Sequence, residues 1–283
     1  MRPWLELARI SNLPTVWTNV LAAWLLAGGG WRDPRWGWLL IGGSLIYTAG
    51  MILNDVLDAA FDRQHRAERP IPRGAVSRRA AAWGGGFCLV AGAGVMIGPG
   101  GAAWSWVLGL VAVVLLYDAY HKPWAGSVWI MGACRTMLYL SAASSVAESP
   151  LAVLAPALAI GAYVVGLSLV ARREAPGAAR GLAGLPPLLL LAPILLALAV
   201  GAKQGLSVLV LALAAGLLIW VSRAISLMRR RPPATIGPAV GRLLAGIVWV
   251  DALALAPVQT GLSLAFVALV PLLMRWQRWV AAT

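Results

Sequence analysis

Residues 54–74 read NDVLDAAFDRQHRAERPIPRG and follow directly on the apolar run Trp38–Leu53. Three of the chain's ten acidic residues, Asp55, Asp58 and Asp62, fall within eight positions of this stretch. If the apolar run is a helix that continues past Leu53, then Asn54, Asp55, Asp58 and Asp62 share one face over two turns. Carboxylates four residues apart repel one another, and a helix C-terminus already carries partial negative charge. A cation must offset this arrangement. Two sources are open: a bound divalent metal, or the loop arginines pairing with a solvated helix end.

The rest of the chain decides what kind of helix this is. Its 283 residues are 60% hydrophobic and 12% charged, against about 25% charged in an ordinary soluble domain. Apolar runs near 20 residues, the length that crosses a hydrocarbon core, recur along the chain. Composition therefore predicts an all-α, polytopic transmembrane bundle, and the fifteen tryptophans suit membrane interfaces. The net charge of +13 does not indicate nucleic acid as a partner, because the basic residues sit between the apolar runs. They read as topology signals and contacts to anionic membrane lipids. Cys88 and Cys134 lie inside apolar runs without metal-type spacing and read as packing residues. No cleavable signal peptide is evident at the N-terminus.

Ten candidate spans follow from hydropathy and punctuation: 13–29, 37–55, 80–98, 102–119, 126–146, 151–171, 185–201, 205–227, 235–256 and 259–280. The ninth carries Arg242 and Asp251, which would pair inside the bundle or lay the segment along the surface, so the total is nine or ten. With the N-terminus in the cytoplasm, the cytoplasmic side takes eighteen Lys and Arg and the opposite side three. That is a strong positive-inside bias. It places the acidic stretch at the cytoplasmic face of an integral membrane protein, in the cytoplasmic membrane if the chain is bacterial. No linker or composition shift divides residues 1–283, so a single domain is expected.

Magnesium suits the carboxylate face, since it takes one or two carboxylates completed by water and phosphate oxygens. Arg66, Arg69 and Arg73 follow, and guanidinium groups match phosphate bidentately. A magnesium–diphosphate site at a membrane surface fits an amphiphile with a pyrophosphate head and a hydrocarbon tail.

The pattern Asn54-Asp55-x-x-Asp58-x-x-x-Asp62 followed by Arg69-Pro70-Ile71-Pro72-x-Gly74 resembles the first aspartate motif of UbiA-type intramembrane prenyltransferases. The stretch Ala8–Trp24, ARISNLPTVWTNVLAAW, also resembles their first helix, including Asn19. The resemblance implies a helical bundle around a central cavity and magnesium-dependent transfer of a prenyl group from its diphosphate to a lipophilic or aromatic acceptor. Asp55, Asp58 and Asp62 would then hold magnesium with help from Asn54, and Arg69 and Arg73 would lie near the diphosphate. Ionisation leaves an allylic cation that ring faces can shield. Tyr47, Tyr117, Tyr120, Tyr139 and Tyr163 are candidates.

The second acidic motif of that family is degraded here. Leu167–Gly181 reads LSLVARREAPGAARG, whose one acid, Glu174, stands among Arg172, Arg173 and Arg180. Either Arg172 and Arg173 contact diphosphate in place of a second metal, or Glu174 pairs with its neighbours. The loop YDAYHKPWAG offers Asp118 as metal ligand or base and Lys122 as a phosphate contact, or it is an ordinary turn. Arg135 lies inside a span, reaching the substrate site or paired within the bundle. His65 reads as a solvated loop residue. The competing function is non-catalytic binding or transport of an isoprenoid or other lipophilic metabolite: the intact first motif favours catalysis, the degraded second one binding.

Overall fold

The computed structural model describes residues 2–122, 124, 126–147, 149–172, 185–230, 236–277 and 279. All regular structure among them is helical. A short α1 (Arg2–Leu7) precedes ten longer helices: α2 (Leu13–Leu26), α3 (Arg35–His65), α4 (Arg78–Ile97), α5 (Trp104–Tyr120) and α6 (Ser127–Ala143), then α7 (Leu154–Arg172), α8 (Leu185–Gln204), α9 (Val208–Arg230), α10 (Ile236–Leu255) and α11 (Thr260–Trp276). Each of the ten falls on one of the apolar segments marked in the sequence. Six are long and apolar enough to cross a membrane: α3, α4, α7 with its preceding turn, α8, α9 and α10. The protein is an integral membrane protein. The segment weakened by Arg242 and Asp251 is among the six, and it packs against α2, α7, α8, α9 and α11. Arg242 and Asp251 stand nine residues apart, on opposite sides of α10. Asp251 takes its hydrogen bonds from α2 and α6 instead.

Helix α2 is the inner post of the bundle. Its core-facing residues run almost without interruption from Pro14 to Leu25, and it touches α3, α6 and α10. Glycine pairs draw neighbouring helices close. A Cβ added at Gly42 or Gly92 would come within 2.9 Å of the other's carbonyl oxygen, so α3 and α4 meet backbone to backbone. Such small-residue contacts substitute in lipid for a missing hydrophobic drive. Cys88 and Cys134 are free and half-buried.

Helix α3 has 31 residues, about 46 Å of helix against a hydrocarbon core of roughly 30 Å. The helix is longer than that core is thick, and its last turns carry the acidic motif. The helix ends at Arg66, whose N–H still donates to the Asp62 carbonyl at 2.8 Å. The chain then folds back. The Gly74 N–H donates to Ile71 O at 3.0 Å, with Gly74 at φ +77, a conformation that favours glycine. Ile71 and Val76 bury against Ile52, Val56 and Ala59 of α3 and Leu7 of α1. That small apolar cluster pins RPIPRG onto the helix and returns Arg69 toward the carboxylates. At the other end of α3, Arg35 donates through Nε to Asp33 Oδ2 at 2.8 Å and holds that loop carboxyl below the ordinary range.

Candidate active site

The carboxylate face exists as the spacing requires. Asn54, Asp55, Asp58 and Asp62 are all at most 7% exposed, while Leu57 and Phe61 on the other side of α3 are about half exposed. Asp118, on the last turn of α5, is 3% exposed and joins them. This is a buried cluster and not a solvated helix end. The distinction matters, because exposed ion pairs contribute about 0–1 kcal/mol whereas an uncompensated buried charge costs several.

Each motif carboxylate meets a protein cation. Asp55 Oδ1 accepts from Arg9 Nη2 at 3.1 Å and from Arg69 Nη1 at 3.0 Å. The same Arg69 Nη1 donates to Asp62 Oδ2 at 2.9 Å. Asp58 Oδ1 receives Lys122 Nζ at 2.8 Å, and its Oδ2 stands 3.1 Å from His121 Nε2. Lys122 Nζ also lies 3.7 Å above the Phe61 ring. Asn54 Nδ2 donates to Asp118 Oδ1 at 3.2 Å, and Asp118 Oδ2 is buried with no hydrogen-bond partner among the described residues. Four carboxylates thus face three fixed cations, Arg9, Arg69 and Lys122. The cluster has residual negative charge and an orphaned oxygen.

The other sequence candidates divide. Arg69 and Lys122 reach the carboxylates. Arg66 is exposed. Arg73 turns away: its Nη2 donates to Glu6 Oε2 at 2.7 Å and its Nη1 to Glu68 O at 3.1 Å, tying the loop to α1. Arg172 donates through Nη2 to His121 O at 3.1 Å, to Trp124 O at 3.3 Å and to Ser127 Oγ, so the end of α7 clasps the loop that carries His121 and Lys122. Arg173 and Glu174 lie outside the described residues. Asn19 and Arg135 meet deeper in the bundle, where Arg135 Nη1 donates to Asn19 Oδ1 at 2.8 Å. His65 is exposed and stacks on Phe61. Of the tyrosines, Tyr117 stacks on His121 with centroids 5.4 Å apart. Tyr47 is half-buried and its hydroxyl donates to Arg9 O at 3.5 Å. Tyr120 is exposed, and the buried Tyr139 and Tyr163 donate to Asp251 Oδ1 and Leu243 O.

Arg9 is the residue that sequence reasoning missed as a site group. It stands between α1 and α2 at φ 43, ψ 50, the left-handed region that non-glycine residues seldom adopt. That turn aims its side chain back at α3, where Nη1 also meets Met51 Sδ at 3.3 Å. It lies in the Ala8–Trp24 stretch that resembles the family's first helix, but nothing in that stretch marks it as a site group.

The carboxylates, Asn54 and the orphaned Asp118 oxygen form a hard-oxygen donor set with excess negative charge, which fits magnesium. Among the described residues no three His, Cys, Asp or Glu side chains converge on one point. Magnesium does not need them to, since water and phosphate oxygens complete its shell.

A family model described as the UbiA prenyltransferase family matches residues 15–247. The chain belongs to that family. Its relatives include the 4-hydroxybenzoate octaprenyltransferase of Paracidovorax citrulli, 34% identical over 123 residues, which are 40% of this chain and 41% of that protein. Another is the digeranylgeranylglyceryl phosphate synthase of Methanoregula boonei, 58% identical over 40 residues, 14% of each chain. The chain thus aligns with about two-fifths or less of the length of these curated relatives. The fold extends further. A solved UbiA homologue from Aeropyrum pernix superposes with a TM-score of 0.66 at 18% identity, covering 88% of this chain and 98% of that one. A second solved structure, described as giving insight into digeranylgeranylglyceryl phosphate synthase in membranes, has a TM-score of 0.64 at 15% identity. It covers 90% of this chain and 97% of the other.

Proposed function

We propose that this UbiA family member transfers a prenyl group from its diphosphate to a lipophilic or aromatic acceptor, at a site on the cytoplasmic face. The single observation that carries the reading is the buried cluster of four carboxylates and three fixed cations, with one carboxylate oxygen left without a partner. A purely structural ion-pair cluster is expected to satisfy its members. This one has the composition of a site that receives a metal and a polyanion together. The names of the relatives, an octaprenyltransferase and a glyceryl phosphate synthase, agree with that chemistry.

Asp58, Asp118 and Asn54 would hold magnesium, with Asp55 and Asp62 adjoining. When bound, magnesium neutralises charge on the leaving diphosphate. The chain's own contribution is positional. Arg9, Arg69 and Lys122 already point into the cluster, and on binding they exchange carboxylate partners for diphosphate oxygens. Arg172 holds the Lys122 loop in place. The allylic C–O bond breaks with its electron pair leaving on the diphosphate. The acceptor bonds to the allylic carbon, and its displaced proton goes to the released diphosphate. The ring of Tyr117, stacked on His121, is our candidate to shield the allylic cation. Residues 1–283 act as one membrane domain in this account, and the eighteen-to-three charge bias supports the cytoplasmic placement.

The test is incubation of the purified protein with magnesium, geranyl diphosphate and a panel of phenolic and glycerol phosphate acceptors, followed by mass spectrometry. Prenylated acceptor with stoichiometric diphosphate is expected. Tight diphosphate binding with no product from any acceptor or copurified lipid would favour the non-catalytic reading.

A further inference from the structure

Two polar levels cross the bundle. The upper one is the carboxylate cluster. The lower one joins four helices. Arg135 of α6 donates through Nη1 to Asn19 Oδ1 of α2 at 2.8 Å and through Nη2 to Thr15 Oγ1 at 3.1 Å. Asn19 Nδ2 donates to Asp251 Oδ2 of α10 at 2.7 Å. Tyr139 Oη, one turn along α6 from Arg135, donates to Asp251 Oδ1 at 2.6 Å. From α3, the Tyr47 ring centroid lies 5.8 Å from the Arg135 guanidinium. Asn19, Tyr139 and Asp251 are each 0% exposed. Opposite charges thus stand in one layer, bridged by an amide, and both Asp251 oxygens have donors. A polar network satisfied in this way is rigid, and breaching it would leave buried charge without its partners.

The two levels are close together. Tyr47 precedes Asp55 by eight residues on α3, and Arg135 follows Ser127 by eight on α6. Ser127 Oγ donates to His121 O at 3.1 Å, which sets the start of α6 beside the cluster. Eight residues rise about 12 Å along either helix. Between the levels, Met51 follows Tyr47 by one turn on α3, and Met131 precedes Arg135 by one turn on the same face of α6. Both methionines are half-buried, as are Tyr47 and Arg135. Met51 Sδ also meets Arg9 Nη1 at 3.3 Å, directly under Asp55. Unbranched thioether side chains adapt readily to an apolar guest.

We propose that the Arg135–Asn19–Asp251–Tyr139 layer is the floor of the prenyl-binding chamber and restricts it to short tails. The inference rests on the prenyl-transfer reading above and names the donor within it. An extended isoprene unit measures about 5 Å at ordinary carbon–carbon bond lengths. A depth of about 12 Å therefore takes two or three units. A geranyl or farnesyl tail ends above the floor, against the methionines and the face of Tyr47. The fourth unit of a geranylgeranyl tail has to displace donors from Asp251 or leave sideways between helices. Stripping partners from buried ionised groups costs more than the added carbons gain. The layer acts as a barrier, through what it costs to breach.

The test is native mass spectrometry of the full-length protein in detergent, with magnesium and an equimolar mixture of dimethylallyl, geranyl, farnesyl and geranylgeranyl diphosphates. In the wild type, occupancy should rise to geranyl or farnesyl and then fall, geranylgeranyl binding about tenfold more weakly than the best shorter tail. Arg135→Met combined with Asp251→Leu removes both charges together, so neither is left unpaired, and that discrimination should disappear. Partition of long tails into detergent is common to both proteins and cancels when their occupancy ratios are compared. A wild-type profile that stays level or rises through geranylgeranyl, or a double variant that keeps the wild-type ratio, overturns the inference. Should the double variant not fold, Asp251→Asn keeps the layer's shape with one charge removed and should raise the geranylgeranyl share in part; an unchanged share overturns the inference equally. Failure of every prenyl diphosphate to bind the wild-type protein would count against the prenyl-transfer reading instead, so the two failures are distinguishable.

Discussion

Arg69 holds two carboxylates through one nitrogen, and this makes it the sharpest probe of the cluster at the scale of single residues. Removing one partner of a buried ion pair costs about 3–5 kcal/mol, because the other charge stays buried. Arg69→Met should lower the thermal midpoint markedly, and adding Asp62→Asn to it should recover part of the loss. A non-additive double-mutant cycle is the expected result; strict additivity would mean the Arg69–Asp62 contact carries little energy. Single residues also show where the sequence stops being readable. The carboxylate face followed from the spacing of Asp55, Asp58 and Asp62, since helical periodicity is local. Arg9 did not, because its role depends on a left-handed turn at a non-glycine residue. Nor did the division between Arg69 and Arg73, which are four residues apart in one loop. Only the packing of Ile71 and Val76 turns the first inward and leaves the second on Glu6.

The site is also held by contacts between helices. Helix α7 reaches the α5–α6 loop through Arg172, whose donors meet His121 O, Trp124 O and Ser127 Oγ. Hydrogen bonds to a charged group contribute about 1.5–3 kcal/mol. Arg172→Gln should therefore weaken magnesium-dependent diphosphate binding about tenfold and raise hydrogen exchange in residues 121–127. If binding weakens with no change in exchange, Arg172 acts on the diphosphate directly, as the sequence reading allowed. The α3–α4 contact offers a second handle. Gly92→Ala would place a Cβ 2.9 Å from both Gly42 O and the Ile46 nitrogen. Overpacking of this kind costs about 1–3 kcal/mol. A lowered thermal midpoint is expected, and an unchanged one would show that the helices part freely. Helix positions were legible because apolar length and glycine punctuation are written locally. Helix partners were not: nothing in α10 announces that Asp251 bonds Asn19 of α2 and Tyr139 of α6.

Across the whole molecule, orientation and binding are linked, because the site must face the compartment that supplies the diphosphate. Single cysteines replacing Arg66 and Lys203, with Cys88 and Cys134 substituted, report on the two faces. The charge bias predicts that position 66 reacts with an impermeant thiol reagent from the cytoplasmic side and position 203 from the other. The reverse labelling would invert the topology. The property that decides between catalysis and a purely structural cluster is magnesium-dependent diphosphate binding at the buried carboxylates. Calorimetric titration of geranyl diphosphate into the folded protein, with and without magnesium, tests it most directly when wild type is set beside Asp58→Asn. The account predicts binding that requires magnesium in the wild type and is lost in the variant. Equal binding by both proteins, or binding indifferent to magnesium, would contradict it.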